Sequence, residues 1–184
     1  MRREDWNDTF YDLFREAVGR YHEGLRSVDG FFTDQEVFFL SSIGCRVKEL
    51  FDLVEAYACT GEPSPTTVLL MMAVRRDFFL TVQNSLFYQG KPVIGYDLPG
   101  FGEELSGLPY LPRLIAKARA KLVGSMGDDV IYCCENDRRF FHDHGNIHPA
   151  DFLRVVWAAG DSLPKIYDYV RQCSQNGVSL ISES

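Results

Sequence analysis

Thr33 precedes Glu36 by three residues, and Phe32 and Val37 flank the pair, which is the arrangement of a capping box closed by a hydrophobic staple. Behind it, Leu40, Ile43, Val47, Leu50, Val54 and Tyr57 recur at intervals of three and four. That spacing lines one face of a helix and would scatter side chains over both faces of a strand. It predicts one long helix over about residues 33–59.

The same logic extends to both sides. From Asp8 to about Val28, Phe10, Leu13, Phe14, Val18 and Leu25 follow mostly helical intervals between charged residues. Gly61 to Pro65 interrupts the pattern, and Ser64-Pro65 then reads as an N-cap with proline in the first turn, opening a third helix that runs to about Phe87. Residues 88–110 hold too many glycines and prolines for a long element, with Leu98-Pro99-Gly100 at their centre. Beyond them, Pro112 opens a helix that ends near Gly124. Asn136 or Asp137 caps a short one through Phe141. His148-Pro149 starts another, and Asp161 or Ser162 with Pro164 begins the last. The polar final ten residues are expected to fray. Only residues 128–134 read as a strand or extended loop.

These signals predict an all-α fold of two helical halves packed together, with at most one short strand or hairpin near residues 128–134. The halves are an N-terminal bundle over residues 1–88 and a C-terminal domain over residues 111–184, with residues 89–110 as linker. Fourteen Phe and nine Tyr supply the aromatic surface such docking would bury.

Charge and cysteine content narrow the function classes. Nineteen basic against twenty-six acidic side chains give a net charge of -7, which argues against broad nucleic-acid binding. The longest apolar run, Val68 to Val74, is seven residues, against about 20 for a membrane span, and the N-terminus lacks the apolar stretch of a secretory signal. The expectation is a cytoplasmic protein that does not enter a membrane. Five cysteines, at 45, 59, 133, 134 and 173, suggest neither a disulfide framework nor a zinc ribbon.

Residues Gly107 to Gly124 read Gly-Leu-Pro-Tyr-Leu-Pro-Arg-Leu-Ile-Ala-Lys-Ala-Arg-Ala-Lys-Leu-Val-Gly, followed by Asp137-Arg-Arg-Phe-Phe141 and His148-Pro-Ala-Asp-Phe-Leu153. These three segments, in this order, resemble a bacterial family known as domain of unknown function 5069, over about residues 98–172. The resemblance implies a small, mainly helical bacterial domain. That family has no established activity, so no catalytic residue comes with it.

The residues themselves offer a cationic helix. At 100° per residue, Arg113, Lys117 and Lys121 fall at about 0°, 40° and 80°, beside an apolar face of Leu114, Ala118, Leu122 and Ile115. Arg119, at about 240°, sits between Ile115 and Val123 and calls for an acidic or carbonyl partner. Four cations with no acid between them can form an anion site, although such runs are more often a solvated face. Asp137, followed by Arg138 and Arg139, suits a helix cap or an ion pair better than a catalytic acid.

His142, His144 and His148 with Cys133 and Cys134 have the residue types of a metal or Cys/His site but not its spacing, so neither a metal nor a cofactor is expected. Glu49, Asp52 and Glu55 read as a solvated acidic face. The leading expectation is a non-catalytic binding module that engages an acidic small molecule or acidic protein surface through Arg113, Lys117, Arg119, Lys121, Asp137 and Arg138. The alternative is a small enzyme with a Cys/His/Asp site between residues 133–148 and the 113–121 helix. What separates them is convergence of reactive side chains on one pocket.

Overall fold

A computed structural model describes the backbone of residues 6–181 and the side chains of residues 6–176. The N-terminal reading therefore falls mostly outside the described residues, as do the last three of the ten expected to fray. Among the described residues the chain is all-α, with eight helices and one two-stranded hairpin. It divides into two compact units, Met1–Gly90 and Lys91–Ser184. No helix among the described residues is long and apolar enough to cross a membrane.

The first unit holds α1 (Trp6–His22), α2 (Asp34–Ser42), α3 (Val47–Thr60) and α4 (Pro65–Thr81). α1 packs on α3 and α4, burying Phe10, Phe14 and Ala17 among Leu50, Val54, Val68 and Met72. Thr33 and Glu36 form the capping box, Ser64 accepts the Thr67 N–H at the head of α4, and Gly61 ends α3 in the left-handed conformation. Glu36 also receives both terminal nitrogens of Arg20 at 2.6 and 2.9 Å, so the start of α2 is tied to the end of α1. The Arg20 guanidinium holds the Glu36 carboxyl below the usual range.

The single helix expected over residues 33–59 is two. α2 ends at Ser42, Gly44 takes φ +73, and α3 starts at Val47. A Cβ on Gly44 would stand 2.5 Å from Cγ of Phe79, so the chain turns where another element comes close to its backbone. The apolar spacing runs unbroken across this turn because both helices bury that side of the sequence.

The acidic face expected at Glu49, Asp52 and Glu55 is likewise not simply solvated. Glu49 is buried, Asp52 pairs with Lys48, and Glu55 accepts the Tyr21 hydroxyl at 2.8 Å, which pushes that phenol up to about 12. Arg75, fully buried, donates to Gln83 at 2.6 Å, and burial pulls its guanidinium down to about 10.

The second unit holds strands β1 (Glu104–Leu105) and β2 (Leu108–Pro109), then α5 (Leu111–Val123), α6 (Glu135–Asp143), α7 (Pro149–Ala159) and α8 (Leu163–Ile181). α5 packs on α7, α7 on α8, and β1 on α5, around Leu111, Leu114, Ala118, Phe152, Leu153, Ile166 and Val170. The hairpin thus lies at 104–109 and not near 128–134, where the backbone forms turns. Val130, Ile131 and Tyr132 are residue types that favour strands, but Cys133 takes φ +72, which no strand accommodates.

Of residues 89–110, expected as a linker, those from 91 onward carry structure within this unit. Val93 bridges Met126 in parallel, Gly95–Asp97 forms a 3-10 turn, and Leu98 is buried.

Candidate functional site

The site starts from the way two helices begin. Tyr110 caps α5 with φ +71, a conformation that a tyrosine holds only when its surroundings impose it, and Cys133 makes a similar turn before α6. Both residues adjoin Asp137, the third residue of α6, which is fully buried. Its Oδ2 accepts the Cys133 N–H at 2.8 Å, the Cys134 N–H at 3.2 Å and the Lys117 ammonium at 2.5 Å, while Oδ1 accepts the Tyr110 hydroxyl at 2.6 Å. Four donors satisfy one carboxylate, and that is what allows it to stay inside the protein.

Lys117, 4% exposed, reaches this carboxylate from one turn beyond Arg113 on α5, and it also donates to Sγ of Cys134 at 3.2 Å. The solvated stripe expected of α5 is therefore inverted: Lys117 and Lys121, the latter 1% exposed, are among its buried residues. A helical wheel assigns lysine to water by default. Here an acid 20 residues away offers Lys117 a partner inside the unit, and its aliphatic stem packs like any other apolar chain.

Burial and the neighbouring carboxylate drive the Tyr110 phenol well above its ordinary range, and burial pushes the Cys133 thiol up to about 12. Cys133 is thus a neutral thiol. Cys134 is half-buried and faces a cavity of about 110 Å³ with Tyr110, Arg113, Lys117, Asp129 and Asn136 on its walls. Arg113 donates to the Pro99 carbonyl at 2.8 Å and lies 4.3 Å over the Phe101 ring, which stacks on Tyr110. Asp129 accepts the Gly95 N–H.

Of the six expected binding residues, the structure gathers Arg113 and Lys117 at this cavity, with Asp137 just behind. It places the others elsewhere. Arg119 donates to the Gly160 carbonyl at 2.9 Å, just past the C-terminus of α7, the kind of partner its position on the wheel required. Arg138 donates to the Cys133 carbonyl at 2.9 Å and holds the turn before α6.

The histidines do not join. His144 stacks on Phe140, His142 meets Asp143, and His148 accepts the Ala150 N–H as the cap of α7. Among the described residues no group of three or more His, Cys, Asp and Glu side chains is placed to hold a metal ion.

Two members of the site, Tyr110 and Cys134, were absent from the expected binding set. Tyr110 lies seven residues before Lys117 and so on its side of α5, and Cys134 lies three before Asp137, the spacing of a cap and its N3 residue. Those spacings were the available signals. No family model matches the chain, and neither a curated protein nor a solved structure matches it.

Proposed function

We propose that the second unit binds a small acidic molecule in this cavity, with Arg113 taking its carboxylate or phosphate. The observation that carries the reading is the contrast between the two cations on the walls. Lys117 is neutralised by Asp137 at 2.5 Å, whereas Arg113 holds only a carbonyl and an aromatic face, leaving guanidinium donors for a planar anion. The cavity suits a small group, about the volume of three or four waters. An extended acidic protein surface is a poorer match, because Lys117 and Lys121 are not on display. The resemblance of residues 98–172 to domain of unknown function 5069 rests on the three sequence segments and adds no ligand.

Titration calorimetry with inorganic phosphate and with a set of small mono- and dicarboxylates tests this. At least one is expected to bind, and Arg113→Gln to weaken it about ten- to a hundredfold, the loss of a charge-assisted hydrogen bond. Arg139→Gln, which removes an exposed cation paired with Glu135, is expected to change nothing. Equal binding by the Arg113 variant, or none by the native protein, refutes the reading.

One observation favours a second reading, a small enzyme. Cys134 presents a sulfur to the same cavity at the start of α6, in contact with an ammonium, which is the setting of reactive thiols. Lysine stands where the Cys/His/Asp alternative placed histidine. Peptide mapping after brief iodoacetamide treatment is expected to find Cys134 modified ahead of Cys59, although Cys59 is the more exposed. The reverse order removes the enzyme reading.

A further inference from the structure

The contact between Lys117 Nζ and Cys134 Sγ supports more than a hydrogen bond. At 3.2 Å an amine and a thiol stand close enough for one bridging oxygen to join them with a small adjustment of two side chains. Lys117 is held in place by Asp137, so the nitrogen does not wander, and Cys134 is reached through the cavity, so an oxidant the size of water can enter. The proton the ammonium must shed before its nitrogen reacts can leave to base in the solvent through the same cavity. Cys133, the neighbouring thiol and the obvious rival, is buried and held as the neutral thiol, which disfavours attack by peroxide there.

We infer that Lys117 and Cys134 form a reversible covalent link through a single oxygen when the protein meets hydrogen peroxide. In the first step the sulfur attacks one peroxide oxygen. An S–O bond forms, the O–O bond breaks, the thiol proton leaves with the other oxygen, and water and a sulfenic acid result. A second peroxide completes a two-electron oxidation that joins the sulfenic oxygen to the lysine nitrogen. One N–H and the sulfenic O–H are lost, an N–O bond forms, and both peroxide oxygens leave as water. Four thiol equivalents, or two of a dithiol, reverse the link, returning amine and thiol, releasing the bridging oxygen as water and giving up four electrons in all as they become disulfides. The link removes the ammonium charge from the cavity wall and leaves Asp137 with neutral donors, so it sets the state of the site according to oxidant. The inference is independent of which molecule the cavity binds.

Intact-mass measurement of the reduced full-length protein before and after peroxide tests it. The expected product is about 14 Da heavier, one oxygen gained and two hydrogens lost, and dithiothreitol returns it to the starting mass. Tryptic mapping is expected to find the peptides carrying Lys117 and Cys134 joined, and Cys134→Ser and Lys117→Arg each to abolish that species. The native protein alone decides the matter if either variant misfolds. Products about 16 or 32 Da heavier at Cys134 with no joined peptide, or a Cys133 to Cys134 disulfide, overturn the inference. Anion binding fails or survives separately, since Arg113 takes no part in the bond.

Discussion

Replacing Lys117 by alanine removes one partner of a buried ion pair and leaves the other. Asp137 is fully buried, and without the ammonium its carboxylate keeps the N–H groups of Cys133 and Cys134 and the Tyr110 hydroxyl but faces no countercharge. Breaking such a pair costs about 3 to 5 kcal/mol. The three remaining donors place the expected value near the lower end, about 3 kcal/mol, to which the lost packing of the lysine stem adds.

Arg119→Ala, by contrast, removes one hydrogen bond to the Gly160 carbonyl from a half-exposed side chain and should cost about 1 kcal/mol. Helical periodicity alone argues the opposite order, with Lys117 dispensable and Arg119 costly. Urea titration separates the two. In a Trp6→Phe background the remaining tryptophan, Trp157, lies in α7 and reports the second unit alone. The double variant Lys117→Met with Asp137→Leu should be less destabilised than the sum of its single changes, because it removes both charges together. If Lys117→Ala costs less than about 1 kcal/mol, or if the two changes simply add, the ion pair is not what holds α5 to α6.

Two further outcomes probe the first unit. Glu36 has its folded carboxyl pKa held below the unfolded value by Arg20, so the stability it contributes is fully present above about pH 4.3 and is lost as pH falls through the folded value. The difference in urea midpoint between native protein and Glu36→Gln should therefore shrink steadily in acid, and a difference that stays constant down to pH 2 would exclude the pairing. Gly44→Ala adds a Cβ at 2.5 Å from the Phe79 ring in a left-handed backbone, and should lower stability by at least about 1 to 2 kcal/mol. Thermal unfolding within a degree of the native protein would show that the turn between α2 and α3 tolerates a side chain.

Where a helix start carries its own side-chain cap it was legible in the sequence, because the capping group lies within one turn of the donor it satisfies; α3, which starts after Arg46 with no side-chain cap, was not. Thr33 with Glu36, Ser64 with Pro65, and His148 with Pro149 each cap the helix the sequence assigns to them, and Gly124 ends α5. Such contacts span three or four residues and need nothing from the rest of the chain. Tertiary structure decided the rest. Gly44 breaks a helical pattern because Phe79, 35 positions later, comes against its backbone. Residues 89–110 read as linker because glycine and proline forbid long elements, yet Val93 finds a partner in Met126. Lys117 is the clearest case. Water is the default for a lysine, since desolvating an ammonium is costly, and only a carboxylate already held by two backbone N–H groups and a tyrosine reverses that balance. The cavity, with Arg113 and Cys134 on its walls, exists because that ion pair draws α5 and the start of α6 together.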